Sequence, residues 1–323
     1  MAFKRNLGTL FNDYIDDTIS IFDSMIKPIL LYGSDFWGCI KCPKNNPIEN
    51  LHMQFCRQIL GVQKNTTTYG VLLELGRTPL MHEARKMSIK NWERIKLEKA
   101  NQLIIKSHKN SCLEELNWTT TIRNTLAEHG LLFYYTNTNI KDKHLGLQRR
   151  AKDIFHQETF STIKEGTSKL RTYSLIKQSI GREHYLSMIR NPKTRRTLSK
   201  FRLSNHKLRI ESGRAEGLKC EERICQVCSS GVEDETHFLV KCGLYKDQRE
   251  KIFVLCENLK PQFPFYSDKE KFIFMMTSHL LTDAISKFID TAMSDRETFL
   301  DVSRSLHSII DEIIKKDQNN QTI

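Results

Sequence analysis

The segment CQVCSSGVEDETHFLVKC, residues 225–242, has the spacing C-x2-C-x8-H-x4-C. Zinc binds thiolate and imidazole ligands in a tetrahedron, and a C-x2-C turn lets two thiolates reach one ion from a tight loop. We therefore predict one structural zinc ion, because four protein ligands leave no open position for catalysis. The predicted ligands are Cys225, Cys228, His237 and Cys242. The spacing leaves Cys220 open as a substitute ligand, and the competing interpretation is four unconnected polar or core residues.

The second pair of predicted ligands lies on a short helical stretch, residues 234–242. Asp234 or Glu235 near its start is expected to cap the helix and to interact favourably with its dipole. On an ideal helix His237 and Cys242 are rotated by about 140°, so they share a metal only if the helix ends or loosens at the second ligand. Gly243 directly follows and is predicted to allow this. Such a short module has little core, so metal binding would supply much of its folding energy, roughly 10 kcal/mol or more.

Positive charge is concentrated just before this module. Residues 141–219 contain 20 lysines and arginines against 7 acids, so they account for the whole net charge of +12. Localised positive charge indicates a polyanionic partner, nucleic acid before membrane. Within residues 190–209 there are eight cations and no acid, and we name these eight the basic strip: Arg190, Lys193, Arg195, Arg196, Lys200, Arg202, Lys207 and Arg209. Phe201 and Tyr185 are candidates for stacking on exposed bases. The competing interpretation is a solvated charged surface or a nuclear-import signal.

Composition favours an intracellular protein, nuclear or cytoplasmic and not secreted. The sequence has no apolar run long enough to span a membrane, and its first residues lack the apolar block of a secretory signal. Nine cysteines in 323 residues are too few, and odd in number, for a secreted disulfide framework. Cys56, Cys112 and Cys256 lie in apolar helical patterns, where we expect buried free thiols.

Helical periodicity dominates the rest of the chain and predicts a mainly α fold, with helical bundles around the small zinc-stabilised CCHC module. We expect helices over residues 7–31, broken by Pro28, from residue 48 to Gly61, and from Pro79 to about residue 107. Two amphipathic helices are predicted at residues 268–289 and 294–316, followed by a polar tail, residues 315–321, that should fray.

The tetrapeptide Tyr14-Ile15-Asp16-Asp17 matches the Tyr-x-Asp-Asp box in which polymerases hold Mg²⁺. That box needs a β-hairpin and a third carboxylate on a strand well upstream. Here it lies in a helical pattern close to Met1, so we do not interpret it as a metal site. No Ser/His/Asp, Walker or Rossmann pattern occurs, and the sequence predicts no catalytic residue.

Several segments resemble non-LTR, LINE-type retrotransposon reverse transcriptases. The resemblance begins with SMIKPILLYGSDFWG at residues 24–38, which is similar to the region just beyond the polymerase palm. It continues, in the same order as in the family, through residues 48–62, residues 74–80, LRIESGR at residues 208–214, and the CCHC segment with its EDETHF core. It touches most of residues 20–250.

This resemblance implies a thumb-like part followed by a C-terminal region with a zinc knuckle, and together with the chain's own charge and periodicity it predicts four regions. Residues 1–107 would be a helical thumb-like domain and residues 108–200 a helical basic connecting region. Residues 201–245 would hold the basic strip and the CCHC zinc knuckle, and residues 246–323 the C-terminal helices with their frayed tail. The family's fingers, palm, catalytic aspartates and endonuclease are absent from the sequence. The resemblance therefore extends to binding and not to polymerisation.

We accordingly predict a non-catalytic, zinc-dependent nucleic-acid-binding fragment of a retrotransposon protein, with RNA or single-stranded DNA as its partner and no membrane partner. One alternative is a helical protein-interaction module whose C-terminal helices bind a protein, with zinc in a structural role only. Another is a decayed copy of such an element without selected function.

Overall fold

A computed structural model describes residues 14–41, 43, 45–113, 117–137, 139–164 and 169–320. Within these residues the chain is helical, and the only β-pairing consists of the isolated bridges Leu75–Arg182 and Ile224–Val232. The mainly α prediction is therefore confirmed. The chain packs into two compact units: unit 1 comprises Met1–Ile59, Lys64–Gly166 and Ser179–Glu183, and unit 2 comprises Leu60–Gln63, Thr167–Gln178 and His184–Ile323. The chain passes between these two units more than once, so they do not correspond to the four consecutive regions of the sequence analysis. Those four regions remain a prediction.

Unit 1 is a bundle built around one central helix, α6. Its α-helices are α1 (Ile15–Ile21), α2 (Lys27–Leu30), α3 (Ser34–Trp37), α4 (Pro47–Leu60), α5 (Thr68–Glu74), α6 (Leu80–Lys96), α7 (Gln102–Leu113), α8 (Asn117–Glu128), α9 (Phe133–Thr136) and α10 (Lys143–Lys164). Ile89 and Trp92 of α6 pack with Ile122, Leu126 and Leu147 into one buried apolar cluster. The burial of these side chains stabilises the bundle by the hydrophobic effect.

Two expectations about unit 1 are wrong. Pro28 does not break its helix: the chain continues as α2 after a π-helical turn, Phe22–Ile26, and turns at Gly33, whose φ is +71°. Proline has no N–H to donate and its ring fixes φ near −65°, but it stands in the first turn of α2, where a free N–H is not needed and a helical φ is required. The stretch after Pro79 is two helices, α6 and α7, because the chain turns after Lys96 and Glu98 adopts a φ of +54°. Residues 7–13 of the first predicted helix lie outside the described residues.

Unit 2 surrounds the CCHC module with helices. Its α-helices are α11 (Tyr173–Ile176), α12 (Tyr185–Met188), α13 (Pro192–Arg202), α14 (Arg209–Ala215), α15 (Lys246–Leu259), α16 (Asp268–Thr277) and α17 (Thr282–Asn320). Rings of Phe201, Phe238, Tyr245 and Phe288 contact one another in its core. Phe238 lies directly after His237, so the predicted metal ligand is attached to the centre of this core.

The end of the chain also differs from the prediction. The break lies at the 3-10 turn His279–Leu281 and not between residues 289 and 294, and α17 continues over the polar tail as far as Asn320. Residues 290–293, Asp-Thr-Ala-Met, contain neither proline nor glycine, so nothing in the backbone interrupts the helix there. Among the described helices, none is both long and apolar enough to cross a membrane.

Candidate metal centre

The structure brings the four predicted ligands together, and we name Cys225, Cys228, His237 and Cys242 the Cys3His cluster. Their three Sγ atoms and one imidazole nitrogen all lie within 4.8 Å of one another. The Cys225 and Cys242 sulfurs are 4.0 Å apart, and Cys228 Sγ is 3.3 Å from His237 Nε2. A tetrahedral zinc site requires roughly 3.8 Å between two sulfurs and about 3.6 Å between sulfur and nitrogen. The donor set therefore fits a single metal ion with only small adjustments.

The first two ligands lie on a tight turn closed by backbone hydrogen bonds. The Cys225 N–H donates to the Gly231 carbonyl at 2.8 Å, and the Ser229 N–H donates to the Cys225 carbonyl at 3.0 Å. Ser229 adopts a φ of +52°, which lets the chain reverse directly after Cys228. This turn points both thiols toward the other two ligands.

A π-helical turn places the second pair of ligands on one side of their segment. Residues His237–Lys241 form this turn, and the Cys242 N–H donates to the His237 carbonyl at 2.8 Å. An i→i+5 hydrogen bond widens the turn, so residues five apart come nearly above one another rather than about 140° away. The predicted loosening is present, but the widened turn provides it and not Gly243, which begins a 3-10 turn.

The start of this turn is capped as the sequence predicts. Asp234 Oδ1 accepts a hydrogen bond at 2.7 Å from the His237 backbone N–H. A carboxylate in this position satisfies an otherwise unpaired donor and interacts favourably with the helix dipole. The cap fixes the backbone of a metal ligand directly.

Glu233 connects the Cys3His cluster to two helices, a role that sequence reasoning missed. Its buried carboxylate lies 3.7 Å from Cys225 Sγ, accepts from the Arg209 backbone N–H at 2.6 Å, and pairs with Arg296 of α17. In the sequence Glu233 is an acidic residue between the two pairs of ligands, and this pattern is equally typical of an acid exposed to solvent. Only the fold shows that this carboxylate is buried against a guanidinium and beside a ligand thiol.

Arg249 of α15 holds the other end of the module. This buried guanidinium donates to the Cys242 carbonyl at 2.8 Å and to the Lys241 carbonyl at 3.3 Å. Partners outside the ligand shell orient the ligands of metal sites in the same way. Arg249 therefore positions Cys242 where the π-helical turn ends.

A second buried carboxylate, Glu235, lies in an ion-pair network. It accepts from Arg171 at 2.5 Å and contacts His206 Nε2 at 3.0 Å. Burial raises the pKa of Glu235, but the hydrogen bond and charge of His206 and the charge of Arg171 outweigh it and hold the pKa at about 2. Glu235 therefore remains ionised and binds the start of the π-helical turn to the segment before α11 and to the segment after α13.

The electrostatics of the cluster favour a bound cation. The hydrogen bond with Cys242, together with burial, raises the pKa of the Cys225 thiol to about 12. Sulfurs this close compete for ionisation, because each thiolate destabilises the next. A metal ion supplies the positive charge that lets all of them bind as thiolates.

Half of the basic strip is accessible to a partner. Arg190, Lys193, Lys200 and Lys207 are exposed, and Arg196 and Arg209 are half-buried. Lys207 pairs with Glu297 at 2.8 Å and Lys193 with Asp290 at 3.5 Å, both at the surface. Exposed ion pairs of this kind contribute little to stability, so each lysine can leave its carboxylate and pair with a phosphate.

Two members of the strip support the fold of unit 2 from its interior. Arg195 is buried and donates to the Ile189 carbonyl at 2.8 Å, while Arg202 is buried over the rings of Tyr173 and Tyr185. The predicted stacking residues are also internal: Phe201 is 1% exposed and Tyr185 is 4% exposed. The expectation that they stack on bases is wrong, because helical periodicity places both on the buried side of their helices.

The remaining cysteines agree with the sequence analysis where they are described. Cys56 and Cys256 are fully buried free thiols, and burial raises the pKa of each to about 12. The side chain of Cys112 lies outside the described residues. Cys220 is exposed on a separate 3-10 turn and is not part of the cluster.

The Tyr-x-Asp-Asp tetrapeptide lies at the start of α1, as its periodicity predicted. Asp16 and Asp17 occupy the first turn of that helix, and Asp16 accepts a hydrogen bond from Arg182. Among the described residues, the only close group of at least three metal-ligating side chains is the Cys3His cluster. The aspartates therefore have no further metal-ligating partner within the described part of the chain.

Comparison of the chain with protein-family models, with curated proteins and with solved structures returned no match.

Proposed function

We propose that the Cys3His cluster binds one structural zinc ion and that unit 2, so stabilised, binds single-stranded nucleic acid, RNA or DNA, through the exposed cations of the basic strip. Three thiolates and one imidazole suit zinc, and four protein ligands fill its tetrahedron. A closed site of this kind supports a fold and leaves no position for a substrate. The proposed chain is a binding protein, similar in this respect to the C-terminal part of a LINE-type reverse transcriptase, and it carries no polymerase chemistry.

One observation carries the nucleic-acid part of the proposal: exposed cations are grouped on α13 and its flanking loops, in the unit that holds the cluster. Arg190, Lys193, Lys200 and Lys207 extend over a segment without an acid. Phosphates repeat along a nucleic-acid strand, so a row of cations on one segment matches their spacing better than it matches a single ligand. Because Phe201 and Tyr185 are buried, the interaction we propose is with the backbone and has little base preference.

The metal is tested by native mass spectrometry of the purified chain. We expect about one zinc ion per chain, lost in Cys242→Ser because a ligand is removed. Cys220→Ser is the matched control, since it removes an exposed thiol outside the cluster, and it should retain the metal. Retention of zinc in Cys242→Ser, or no zinc in the parent chain, would contradict the proposal.

Nucleic-acid binding is tested by fluorescence anisotropy with a single-stranded RNA oligonucleotide over a range of salt concentrations. A plot of the logarithm of affinity against the logarithm of salt concentration should have a negative slope, of about 0.7 for each phosphate neutralised. The double variant Lys193→Glu/Lys200→Glu should reduce this slope by about 1.4. Lys251→Glu/Lys260→Glu makes the same change in charge at exposed positions of α15 and its C-terminus, outside the strip, and should alter the slope less. Equal effects of the two double variants, or binding that ignores salt, would refute a site on α13.

The alternative of a protein-interaction module also has an observation in its favour. The distal part of α17 exposes apolar side chains, which a nucleic-acid-binding surface does not require.

A further inference from the structure

The last helix carries an exposed row of apolar side chains. We name these the α17 stripe: Phe299, Val302, Leu306, Ile309 and Ile310. Each is between 41% and 54% exposed. Single exposed apolar residues are ordinary on a protein surface, but a contiguous row on one side of a helix indicates a binding surface.

The stripe lies on a part of α17 that unit 2 does not cover. Ile285, Phe288, Ile289 and Ala292 bury the first half of the helix, and beyond Arg296 no described side chain is buried. The helix nevertheless continues to Asn320, which is roughly 35 Å further at 1.5 Å per residue. Helices in water gain most of their stability from packing an amphipathic side, so this extension needs a partner surface.

The spacing of the stripe is that of a helix that pairs with another helix. Phe299, Val302, Leu306 and Ile309 follow one another at intervals of three, four and three residues, the a and d positions of a heptad repeat. This order of intervals is the same in both directions. A second copy of the stripe therefore matches the first whether the two helices run parallel or antiparallel.

The charges beside the stripe favour an identical partner. The flanking positions of the first heptad hold Thr298, Ser303 and Ser305, which are neutral and small, and the second heptad has the exposed Glu312 beside it. An antiparallel pair places Glu312 of each copy opposite Thr298 of the other, so two copies approach without like-charge repulsion there. Asp301 and Arg304 lie away from the stripe and pair with each other at 3.0 Å. The described side chains that flank the stripe offer a polyanion no cation and a basic peptide only Glu312, whereas a two-fold interface needs only the same surface twice.

We propose that the chain forms a homodimer in which the α17 stripes of two copies pack against each other as a short two-helix coiled coil. The interface buries the apolar side chains that the single chain leaves in water. The proposal stands apart from nucleic-acid binding, although a dimer would present two basic strips to one strand and so gain affinity by avidity.

Sedimentation velocity of the full chain over a range of micromolar concentrations tests this. We expect a species of about 76 kDa, twice the 37.8 kDa of one chain, that dissociates on dilution. Leu306→Asp/Ile309→Asp should weaken dimerisation by more than about tenfold, because it places charge at the centre of an apolar interface. Ser308→Asp adds a carboxylate to the opposite side of the same helix and should leave the dimer intact.

Two results would overturn the proposal. One is a parent chain that sediments as a monomer at every concentration, including a chain that instead adsorbs to lipid vesicles or captures another protein. The other is a dimer that Leu306→Asp/Ile309→Asp and Ser308→Asp affect equally. Circular dichroism and zinc content of each variant show that unit 2 remains folded, and the concentration dependence of the parent chain decides the question if a variant does not fold.

Discussion

The carboxylate of Glu233 accepts two hydrogen bonds from the guanidinium of Arg296, at 2.6 and 2.7 Å, and both side chains are buried. Glu233 follows the turn that carries Cys225 and Cys228, whereas Arg296 is the last residue of α17 that is buried among those whose side chains are described. One ion pair therefore joins the metal module to the helix that ends the chain. Because Glu233 also lies 3.7 Å from Cys225 Sγ, the same pair fixes the surroundings of a ligand.

Breaking this pair should be costly. Glu233→Gln or Arg296→Met leaves one buried charge without its partner, and we expect the free energy of unfolding to fall by about 3–5 kcal/mol, measured by urea denaturation. Zinc affinity should also fall, by about tenfold or more, because the carboxylate no longer positions Cys225. Asp283→Asn, which breaks the exposed Asp283–Lys287 pair, is the control and should change stability by less than about 1 kcal/mol. Equal losses at the two sites would show that the buried pair has no special role.

Chelation should destabilise unit 2. On the proposed assignment of zinc to the Cys3His cluster, its removal leaves the sulfurs close together without a cation, and the free energy of metal binding is lost from the folded state. We expect the unfolding midpoint in urea to fall in the presence of a strong chelator and to recover when zinc is restored. Cys242→Ser should unfold at the same lower midpoint and should not respond to the chelator. A parent chain with an unchanged midpoint would show that the ion contributes no folding energy.

His82 of α6 should make the stability of unit 1 depend on pH. Burial, with the charge of Arg85, lowers the pKa of His82 to about 4, and its Nδ1 is buried without a hydrogen-bond partner. Below pH 6.5 the unfolded chain takes up a proton there that the folded chain does not accept until about pH 4. Stability is therefore lost as the pH falls through this window, by up to about 3 kcal/mol.

The measurement is the free energy of unfolding at pH 7.5 and at pH 4.5 for the parent chain and for His82→Gln. Glutamine does not titrate, so the variant should lose less stability between the two pH values, whatever its stability at neutral pH. Parallel losses in the two proteins would mean that His82 is protonated in the folded state.

Close packing at Gly38 predicts a strong effect of one methyl group. A Cβ at this position would overlap the carbonyl oxygen of Ala84, where α3 meets α6. Gly38→Ala should therefore push the two helices apart and destabilise unit 1 by about 1–3 kcal/mol, measured by thermal unfolding. Gly181→Ala, where the added methyl meets open space, is the control. A Gly38→Ala protein as stable as the control would show that the helices can separate freely.

The candidate site was predictable from the sequence to the level of its ligands. Cys225, Cys228, His237 and Cys242 were identifiable because metal coordination restricts residue type and spacing, and both are properties of the sequence. The cap by Asp234 was predictable for the same reason, since a cap depends on a neighbour three residues away. The π-helical turn was not predictable, because it differs from an α-helical turn in one hydrogen bond, from the Cys242 N–H to the His237 carbonyl, which no residue type or spacing indicates.

The basic strip shows the limit of such reasoning. Charge and the absence of acids are visible in the sequence, but they do not distinguish Lys200, which lies in solvent, from Arg195 and Arg202, which are buried. Arginine can extend its guanidinium to a buried carbonyl or over an aromatic ring, so a cation on a helix is not necessarily a surface cation. Two of the eight cations, Arg195 and Arg202, therefore support the core, although the sequence pattern predicts them at the binding surface.

The sequence by itself determined that this chain is helical, that residues 225–242 carry four side chains able to hold one metal ion, and that positive charge precedes that module. These properties depend on periodicity, spacing and composition, which act between residues close in the chain. Only the tertiary structure decided that Glu233 meets Arg296, that Phe201 and Tyr185 are internal, and that the α17 stripe remains exposed. Those outcomes depend on which distant segments pack together, because burial and ion pairing are properties of an assembled core.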